Sequence, residues 1–320
     1  MCNNKKFLNS VLFIYVSLFF NICVGNGKST NLAYITNQGE DTVSVINLNT
    51  LTVQKKINVG KSPLGIAIIK HKAIALVGNV ESQSLSIIDL KKNEVYKTVD
   101  LKTAPLGIIV SPSGEKIFIT SWYENKVLVL STKDFSIIHK INVGITPSGI
   151  SFNKKNNFIV VANRDANTIE IYDAKNYKLI KIINVGNHPY GVHTDNNYIF
   201  TANVYDDSIS VIDIANWEQK IIKVGLNPYN IISYNKKAYV TNAQGDSISV
   251  IDLNSLQEIK KINVGETPEN MSIDIINQRL IIANWGNDSV SIINLKTDEL
   301  IIEINSGSES RAFGQFIYTN

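Results

Sequence analysis

A unit of about 40 residues repeats along most of this 320-residue chain, and this repeat constrains the fold more than any other feature. The unit is clearest in residues 238–268, where one strand pattern ends at Asn242 and the next begins at Ser247. The position of Asn242, here called the register position, recurs every 39 to 42 residues. Its occupants are Asn37, Asn79, Ser121, Asn163, Asn203, Asn242 and Asn284. The chain therefore contains seven units.

A proline gives a second, independent mark of the same repeat. It begins a short apolar strand pattern, and three more strand patterns follow in each unit, separated by turn residues. These prolines are Pro63, Pro105, Pro147, Pro189, Pro228 and Pro268. A period near 40 with four strands per unit is typical of β-propellers, in which each unit is one four-stranded blade. The sequence thus predicts an all-β, seven-bladed propeller.

The two ends of the repeat region predict how the ring closes. The first unit begins at Ala33 with its second strand and has no inner strand of its own. Residues 312–318 follow the last unit and have no partner strand within it. We expect this C-terminal segment to supply the inner strand of the first blade, because that pairing would remove an exposed sheet edge. The predicted propeller covers residues 31–320.

Residues 1–25 have the form of an export signal. Lys5 and Lys6 precede an apolar run that ends in small residues. We expect a periplasmic, secreted or envelope-associated protein, with an uncleaved N-terminal anchor or acylation at Cys23 as alternatives. Cys2 and Cys23 are the only cysteines, so the predicted mature propeller has no disulfide, thiolate nucleophile or cysteine metal ligand.

The tetrapeptide at residues 239–242 reads Tyr-Val-Thr-Asn, which is identical to the signature of the YVTN β-propeller repeat family. The flanking Ser-Ile-Ser-Val-Ile-Asp and Ile-Asn-Val-Gly segments match as well, and residues 31–320 resemble this family throughout. The third unit departs from the pattern at Ser121, and Ser310 replaces the last proline. The resemblance implies the fold and leaves activity open, because similar propellers occur in surface-layer proteins, periplasmic binding proteins, and lactonase or dehydrogenase enzymes.

Two loops of each blade, from fourth to inner strand and from second to third, share one face of a propeller, which we call the top. Large aromatic and charged residues occur in these loops where small turn residues would suffice, and such side chains dominate recognition surfaces. The predicted ligand- or partner-binding residues at this mouth are Trp122, Tyr123, Arg164, His188, Tyr190, Tyr205, Tyr229, Glu269, Trp285 and Arg311. The alternative is that these side chains cover the mouth or pack between blades.

The opposite, bottom face is predicted to be rich in lysine and poor in acids. Its lysines are Lys70, Lys72, Lys91, Lys92, Lys133, Lys154, Lys155, Lys175, Lys236, Lys237 and Lys296. One interpretation is that lysine and asparagine suit solvated turns, and another is that this face lies against an anionic lipid or envelope surface. The whole chain carries 31 basic and 28 acidic side chains, and this balance disfavours nucleic acid as a partner.

Repeated polar residues favour a structural role. An aspartate or asparagine stands four residues after the register position in most units, and a catalytic carboxylate is seldom needed in every blade. These residues are Asp41, Asn125, Asn167, Asp207, Asp246 and Asp288. We expect them to cap their own turns, and we expect the register asparagines to satisfy backbone groups.

The four histidines form no metal-binding motif. We expect His71 and His139 to face solvent, His193 to pack within an inner strand, and His188 alone to lie at the top mouth. A single imidazole without partners at ligand spacing is weak support for a metal or a general base. The sequence predicts neither a metal nor a cofactor.

These observations predict an exported, non-catalytic propeller that binds an unidentified protein or small molecule through its top face. The first alternative is an enzyme of the lactonase or dehydrogenase-subunit type that would use Glu269, Arg311 and His188. The second is a structural component of a surface layer. The lack of a recognisable set of acid, base and metal ligands disfavours the enzyme.

Overall fold

The computed structural model describes residues 31–319 of the chain. Almost all of these residues lie in strands and tight turns, with three short 3-10 helices at Gln38–Glu40, Lys70–Lys72 and Val204–Asp206. Within this part of the chain, no helix has the length and apolar character needed to cross a membrane. The predicted export signal or anchor, residues 1–25, lies outside the described residues.

The strands of the first four blades follow in chain order. The first blade contains β1 (Asn31–Asn37), β2 (Thr42–Asn47) and β3 (Thr52–Asn58). The second contains β4 (Pro63–Ile69), β5 (Ile74–Asn79), β6 (Ser84–Asp89) and β7 (Glu94–Asp100). The third contains β8 (Pro105–Val110), β9 (Lys116–Ser121), β10 (Lys126–Ser131) and β11 (Ile137–Asn142). The fourth contains β12 (Pro147–Asn153), β13 (Phe158–Asn163), β14 (Thr168–Asp173) and β15 (Leu179–Asn184).

The remaining three blades and the C-terminal strands complete the ring. The fifth blade contains β16 (Pro189–Thr194), β17 (Tyr198–Asn203), β18 (Ser208–Asp213) and β19 (Gln219–Lys223). The sixth contains β20 (Pro228–Tyr234), β21 (Lys237–Asn242), β22 (Ser247–Asp252) and β23 (Gln257–Asn263). The seventh contains β24 (Pro268–Asp274), β25 (Arg279–Asn284), β26 (Ser289–Asn294) and β27 (Glu299–Asn305). The last two strands are β28 (Phe313–Gln315) and β29 (Ile317–Thr319).

Blades two to seven are antiparallel sheets whose own four strands follow chain order from the inner to the outer edge, whereas the first blade has the order β29-β1-β2-β3. The second strands are the most buried, and all six residues of β13 are shielded from solvent. The outer strands are mostly exposed, and Ile57 is the single buried residue of β3. This gradient arises because neighbouring blades cover both faces of the inner three strands. The predicted seven-bladed, all-β fold is confirmed.

The C-terminal segment completes the first blade, as the sequence predicts. Strand β29 pairs antiparallel with β1, and an isolated bridge joins Asn37 to Ser310. Ser310 therefore takes the place of the proline that begins the inner strand in the other blades. Strand β28 also pairs in parallel with β4 of the second blade, a contact that the sequence pattern did not reveal. The C-terminal segment thus pairs with the first and the second blade.

A buried polar cluster strengthens the same closure at the bottom. The carboxylate of Asp274, in the seventh blade, accepts hydrogen bonds from Arg279 Nη2 at 2.7 Å and from Asn31 Nδ2 at 2.8 Å. Asn31 belongs to the first blade, and Arg279 also donates to the carbonyl of Leu48 in that blade. Asp274 is fully buried, so its charge is stabilised by these partners rather than by water.

The Tyr-Val-Thr-Asn tetrapeptide joins one blade to the next. Tyr239 donates its hydroxyl hydrogen to Asp298 Oδ1 of the seventh blade at 2.8 Å, near the bottom. Thr241 donates to the carbonyl oxygen of Glu269, in the inner strand of that blade, at 3.0 Å. In the first blade, Tyr34 and Thr36 make the equivalent bonds to the second blade. The motif therefore has a structural function at two levels of the ring.

The register asparagine is a packing centre between blades. Asn242 is fully buried, and its Nδ2 donates to the hydroxyls of Ser247 at 3.1 Å and Ser249 at 2.9 Å. Its Oδ1 accepts from the N–H of Gly225, which lies in the connection from the preceding blade. The prediction that these asparagines satisfy backbone groups is thus correct for Oδ1 of Asn242, whose amide nitrogen bonds side-chain hydroxyls. It is wrong for Asn79, Asn163, Asn203 and Asn284, whose Oδ1 atoms have no hydrogen-bond partner among residues 31–319.

The aspartates four residues after the register position do not cap their own turns, so that prediction is wrong. Asp41 Oδ1 accepts from the backbone N–H of Ser62 at 2.8 Å, and Asp246 Oδ1 accepts from that of Thr267 at 2.9 Å. Each bond crosses to the connection that enters the next blade. Asp41 and Asp246 themselves have φ values of 57° and 45°, a left-handed conformation that aspartate and asparagine tolerate better than most residues.

The close packing at Gly225 gives a testable consequence. A Cβ atom at this position would lie 2.4 Å from Asn242 Cγ, whereas one at Gly245 would have no neighbour closer than 3.4 Å. Gly225→Ala should therefore lower the free energy of unfolding by about 1–3 kcal/mol, the usual effect of overpacking. Gly245→Ala is the matched control and should change it by less than about 0.5 kcal/mol. Urea denaturation measures both, and equal values would contradict the packing role of Gly225.

Ring closure gives a second test. Truncation after Gly307 removes Phe313, Phe316 and Tyr318, which are all buried. Each such side chain stabilises the fold by about 2 kcal/mol, so the loss of roughly 6 kcal/mol approaches the whole stability of a typical domain, about 5–15 kcal/mol. Circular dichroism should show a largely unfolded chain. Removal of residue 320 alone is the control, and a truncated protein that melts like the full chain would contradict this closure.

Candidate functional site

An apolar plug closes the central channel at the top. It consists of Leu64, Leu106, Tyr190 and Phe313, all buried, with Trp122, Tyr229, Val80 and Val204 packed against them. Leu64, Leu106, Tyr190 and Tyr229 each follow the proline that begins an inner strand, where the repeat brings side chains towards the channel axis. For Tyr190 the structure agrees with the alternative interpretation, in which the side chain covers the mouth.

The rings of the plug pack tightly around Tyr190. Its ring centroid lies 4.1 Å from that of Tyr229, 5.5 Å from that of Phe313 and 6.0 Å from that of Trp122. Burial raises the pKa of Tyr190 to about 12 and the pKa of Tyr229 well above its usual value. Both phenols therefore stay protonated at neutral pH and are poor candidates for a general base.

A buried ion pair lies beside this plug. Arg311 Nη2 donates to Glu269 Oε1 at 2.6 Å, and Glu269 is only 4% exposed. Burial raises the pKa of Glu269, although the guanidinium opposes that shift. The Arg311 guanidinium carbon also lies 5.6 Å from the ring centroid of Trp285, a cation–π contact. The structure thus brings together three of the predicted binding residues, which we call the Glu269 corner.

Three buried polar atoms of the Glu269 corner have no hydrogen-bond partner among residues 31–319. They are Glu269 Oε2, Arg311 Nε and Trp285 Nε1. Buried polar atoms in folded proteins are nearly always paired with protein or ordered water, and leaving them unpaired costs free energy. The corner therefore contains one unpaired acceptor and two unpaired donors, all shielded from solvent.

A second group of predicted residues lies farther round the top face. The Arg164 guanidinium carbon is 5.6 Å from the ring centroid of Trp122, and Arg164 Nε is 3.8 Å from Asp165 Oδ1. His188 Nε2 is 3.5 Å from the same carboxylate oxygen, and its ring stacks on Tyr205 with centroids 4.0 Å apart. Within the described residues no contact joins His188 to the Glu269 corner, so the three residues of the alternative enzyme site do not form one cluster.

Exposure divides the ten predicted residues into three classes. Tyr123 and Tyr205 project from the top face and are 75% and 62% exposed. Tyr190 and Glu269 are buried. The others are half-buried, namely Trp122, Arg164, His188, Tyr229, Trp285 and Arg311. The top therefore presents half-buried tryptophans and arginines between exposed tyrosines.

The bottom face is not poor in acids, so that part of the sequence interpretation is wrong. Most of its lysines are exposed as expected, but aspartates share the same turns. These are Asp89, Asp134, Asp173, Asp195, Asp213 and Asp252, together with Asp274 and Asp298, which are buried beneath the face. Several of them cap their own hairpins, as Asp252 Oδ1 does by accepting from the N–H of Ser255 at 2.7 Å. Binding of this face to an anionic surface stays a prediction.

The sequence analysis missed a cavity of about 310 Å³ in the central channel. Its walls come from inner strands, and they include Ala67, Ser151 and His193, which occupy the same position after the proline in three blades. The recurrence of small or polar residues at this axial position is the signal that could have revealed it. His193 Nε2 lies 3.0 Å from Ser233 Oγ, and burial lowers the pKa of His193 to about 4.

Histidines and acids elsewhere add no metal site. Among residues 31–319, no group of three or more His, Cys, Asp or Glu side chains is arranged to hold a metal ion. His71 and His139 are exposed, as predicted, and the His139 ring stacks on Tyr177 with centroids 4.5 Å apart.

The lowered pKa of His193 predicts a pH dependence of stability. Between pH 6.5 and about 4 the unfolded chain takes up a proton at this residue that the folded chain does not. The free energy of unfolding should therefore fall as pH falls, by up to roughly 3 kcal/mol from this group. His193→Gln should remove that part of the loss in urea titrations at pH 7 and pH 4.5. Ser233→Ala is the control that should keep it, because burial rather than the hydrogen bond lowers the pKa. An unchanged loss in His193→Gln would contradict this assignment.

Comparison with known proteins agrees with the observed ring. A family model described as a YNCE-like beta-propeller matches residues 23–112 and 72–156. No curated protein matches the sequence. A functionally unknown protein from Desulfotomaculum acetoxidans has a similar structure, with a TM-score of 0.78 and 16% identity, over 91% of this chain and 99% of that one.

Two further solved structures share the fold at low identity. Hydrazine synthase from Kuenenia stuttgartiensis aligns with a TM-score of 0.73 and 16% identity, over 82% of this chain and 91% of that one. Dihydro-heme d1 dehydrogenase NirN in complex with DHE aligns with a TM-score of 0.69 and 13% identity, over 87% of this chain and 74% of that one. Identities this low bear on the fold alone. The chain is therefore a seven-bladed β-propeller protein.

Proposed function

We propose that this chain is an exported propeller of the YVTN-repeat type that binds a partner through its top face without catalysis. The repeat signature at residues 239–242 and the form of residues 1–25 support the family and the export. The partner is a protein or a small molecule, and no nucleic acid, metal or cofactor enters this proposal.

The Glu269 corner is the observation that carries the proposal. Its unpaired acceptor and two unpaired donors match a ligand group that has both a donor and an acceptor, such as an amide. Trp285 and Arg311 are two of its three residues, and tryptophan and arginine are enriched among the residues that contribute most to binding energy. A partner group that entered the corner would form hydrogen bonds with these three atoms. It would also bury the Trp285 ring and the Arg311 guanidinium further.

The outer tyrosines extend this surface. Tyr123 contacts Trp122, with ring centroids 6.3 Å apart, and Tyr205 stacks on His188. Each tyrosine ring therefore contacts another ring, while most of the side chain is exposed to solvent. Rigid aromatic side chains of this kind supply contact area at a low cost in conformational entropy, which suits a surface that recognises a partner.

Binding is favoured over the enzyme alternative by the arrangement of the titratable groups. Glu269 is held by Arg311, whereas His188 faces Asp165 in another part of the top. A nucleophile, a base and an orienting group must lie within hydrogen-bond reach of each other or of a common substrate position. The solved structures that are named as enzymes share only the fold with this chain.

Site-specific photocrosslinking tests the proposed surface. A benzophenone amino acid replaces Tyr123, Tyr205 or, as the matched control, Tyr96, which is 55% exposed on the outer strand β7. Irradiation in the native cell envelope should give the same adduct from positions 123 and 205, and mass spectrometry should identify it as a protein or a small molecule. The variant with the photocrosslinker at position 96 should not form this adduct. The same set of adducts from all three positions, or none at 123 and 205, would refute top-face binding.

A conservative change in the Glu269 corner sharpens the test. Trp285→Phe removes the unpaired Nε1–H and keeps an aromatic ring over Arg311. Loss of one hydrogen bond of about 1 kcal/mol should reduce the affinity for the crosslinked partner about five-fold, with little change in melting temperature. An affinity equal to that of the unchanged protein would show that this donor does not contact the partner.

A further inference from the structure

The central channel holds a cavity that is separate from the top surface. Its volume is about 310 Å³, which is at the lower end of the range of ligand pockets, about 300–1,000 Å³. Inner strands from the second to the seventh blade line it, and β28 completes the wall on the side of the first blade. The apolar plug of Leu64, Leu106, Tyr190 and Phe313 closes the channel above it.

The cavity opens towards the bottom face. Inner strands begin at the top with their prolines and end at the bottom, and the lining includes the last residues of β8 and β16, Val110 and Thr194. Gln315, the last residue of β28, also lines the cavity and is exposed to solvent. A ligand would therefore enter from the face opposite to the proposed partner surface.

The walls carry no formal charge. Among residues 31–319, no Asp, Glu, Lys or Arg side chain lines the cavity, and His193 is its one titratable group. The pKa of that imidazole lies below neutral pH, so the group is uncharged under ordinary conditions. A charged ligand would lose hydration here without gaining a counter-ion, and burial of an unpaired charge is strongly unfavourable.

Most of the lining residues are apolar, and polar and apolar atoms contribute about equally to the exposed wall. Ile108, Val192 and Met271 are buried at the wall. The Ser151 hydroxyl accepts from the N–H of Thr194 at 3.2 Å and retains its own hydrogen for donation. A pocket that combines apolar side chains with positioned polar groups is the usual form of a small-molecule site.

We propose that the channel cavity is a second binding site, which takes a neutral small molecule with an apolar body and at least one hydrogen-bonding group and admits it from the bottom face. The site does not depend on the top-face function, since the plug separates the two. Three naphthalene derivatives test this chemistry: neutral 2-naphthol, anionic 2-naphthoate and cationic 2-naphthylmethylammonium. They have similar apolar bodies and differ in charge.

Met271 gives a direct reporter. It is one of two methionines in the chain, and the other is Met1. In a protein labelled with ¹³C at the methionine methyl groups, 2-naphthol should shift the Met271 signal with saturation at one molecule per chain. The two charged probes should bind at least ten-fold more weakly. Absence of a saturable shift with 2-naphthol, or equal binding of a charged probe, would overturn the proposal.

Filling the cavity supplies the matched variants. Ala67→Phe and Ser151→Phe narrow it from two different blades, and either one that keeps a folded spectrum should weaken 2-naphthol binding at least ten-fold. Tyr123→Ala, on the top face, is the control and should leave it unchanged. Undiminished binding in a folded filling variant would overturn the proposal. The titration of the unchanged protein decides the question if neither variant folds.

Discussion

Blades in this propeller meet at a buried asparagine side chain, and the regular geometry of the ring depends on this contact. Asn242 donates to two serine hydroxyls of its own blade and lies against Gly225 from the connection that enters that blade. A larger residue than glycine would displace the amide, and a residue without two amide hydrogens would leave the hydroxyls without their donor. The asparagine, a pair of hydroxyls and the glycine therefore recur together in five blades, and the third and fourth blades depart from the set at Ser121 and Glu170.

The regular ring determines where individual side chains can differ. Thr36 and Thr241 each donate a hydrogen bond to the inner strand of the next blade. The acceptors are the carbonyl oxygens of Leu64 and Glu269, each the second residue of its strand. The side chains at those two positions face the mouth and are not used in the bond. The Leu64 side chain therefore contributes to the apolar plug, and the Glu269 side chain pairs with Arg311. The same backbone contact thus supports both a closed channel and a polar corner.

Closure of the top gives the molecule two separate regions with different chemistry. Above the plug, Trp285, Arg311 and Glu269 offer charge and unpaired hydrogen-bonding atoms. Below it, the channel walls are uncharged and combine apolar side chains with hydrogen-bonding atoms. The plug includes Phe313 from the C-terminal segment, so the residues that close the ring also separate the two regions.

The repeat made the blades, the strand order and the closure predictable, because each depends on residues that recur at a fixed spacing. The partners of Asp41 and Asp246 were not predictable in this way, since their hydrogen bonds reach a connection 21 residues farther along the chain. Phe313 in the plug and His193 in the channel were also missed as site-forming residues. Their roles arise from the meeting of several blades at one axis, which a pattern within one unit does not contain.

The central claim is that repeated residues hold the ring and that residues particular to one unit bind the partner. A substitution series with two measurements, melting temperature and yield of the top-face crosslink, tests it most directly. Asn242→Ala and Thr241→Val should lower the melting temperature by several degrees, whereas Arg164→Ala and Trp122→Phe should lower the crosslink yield and leave the melting temperature nearly unchanged. If both groups change the two quantities in the same proportion, the claim is wrong.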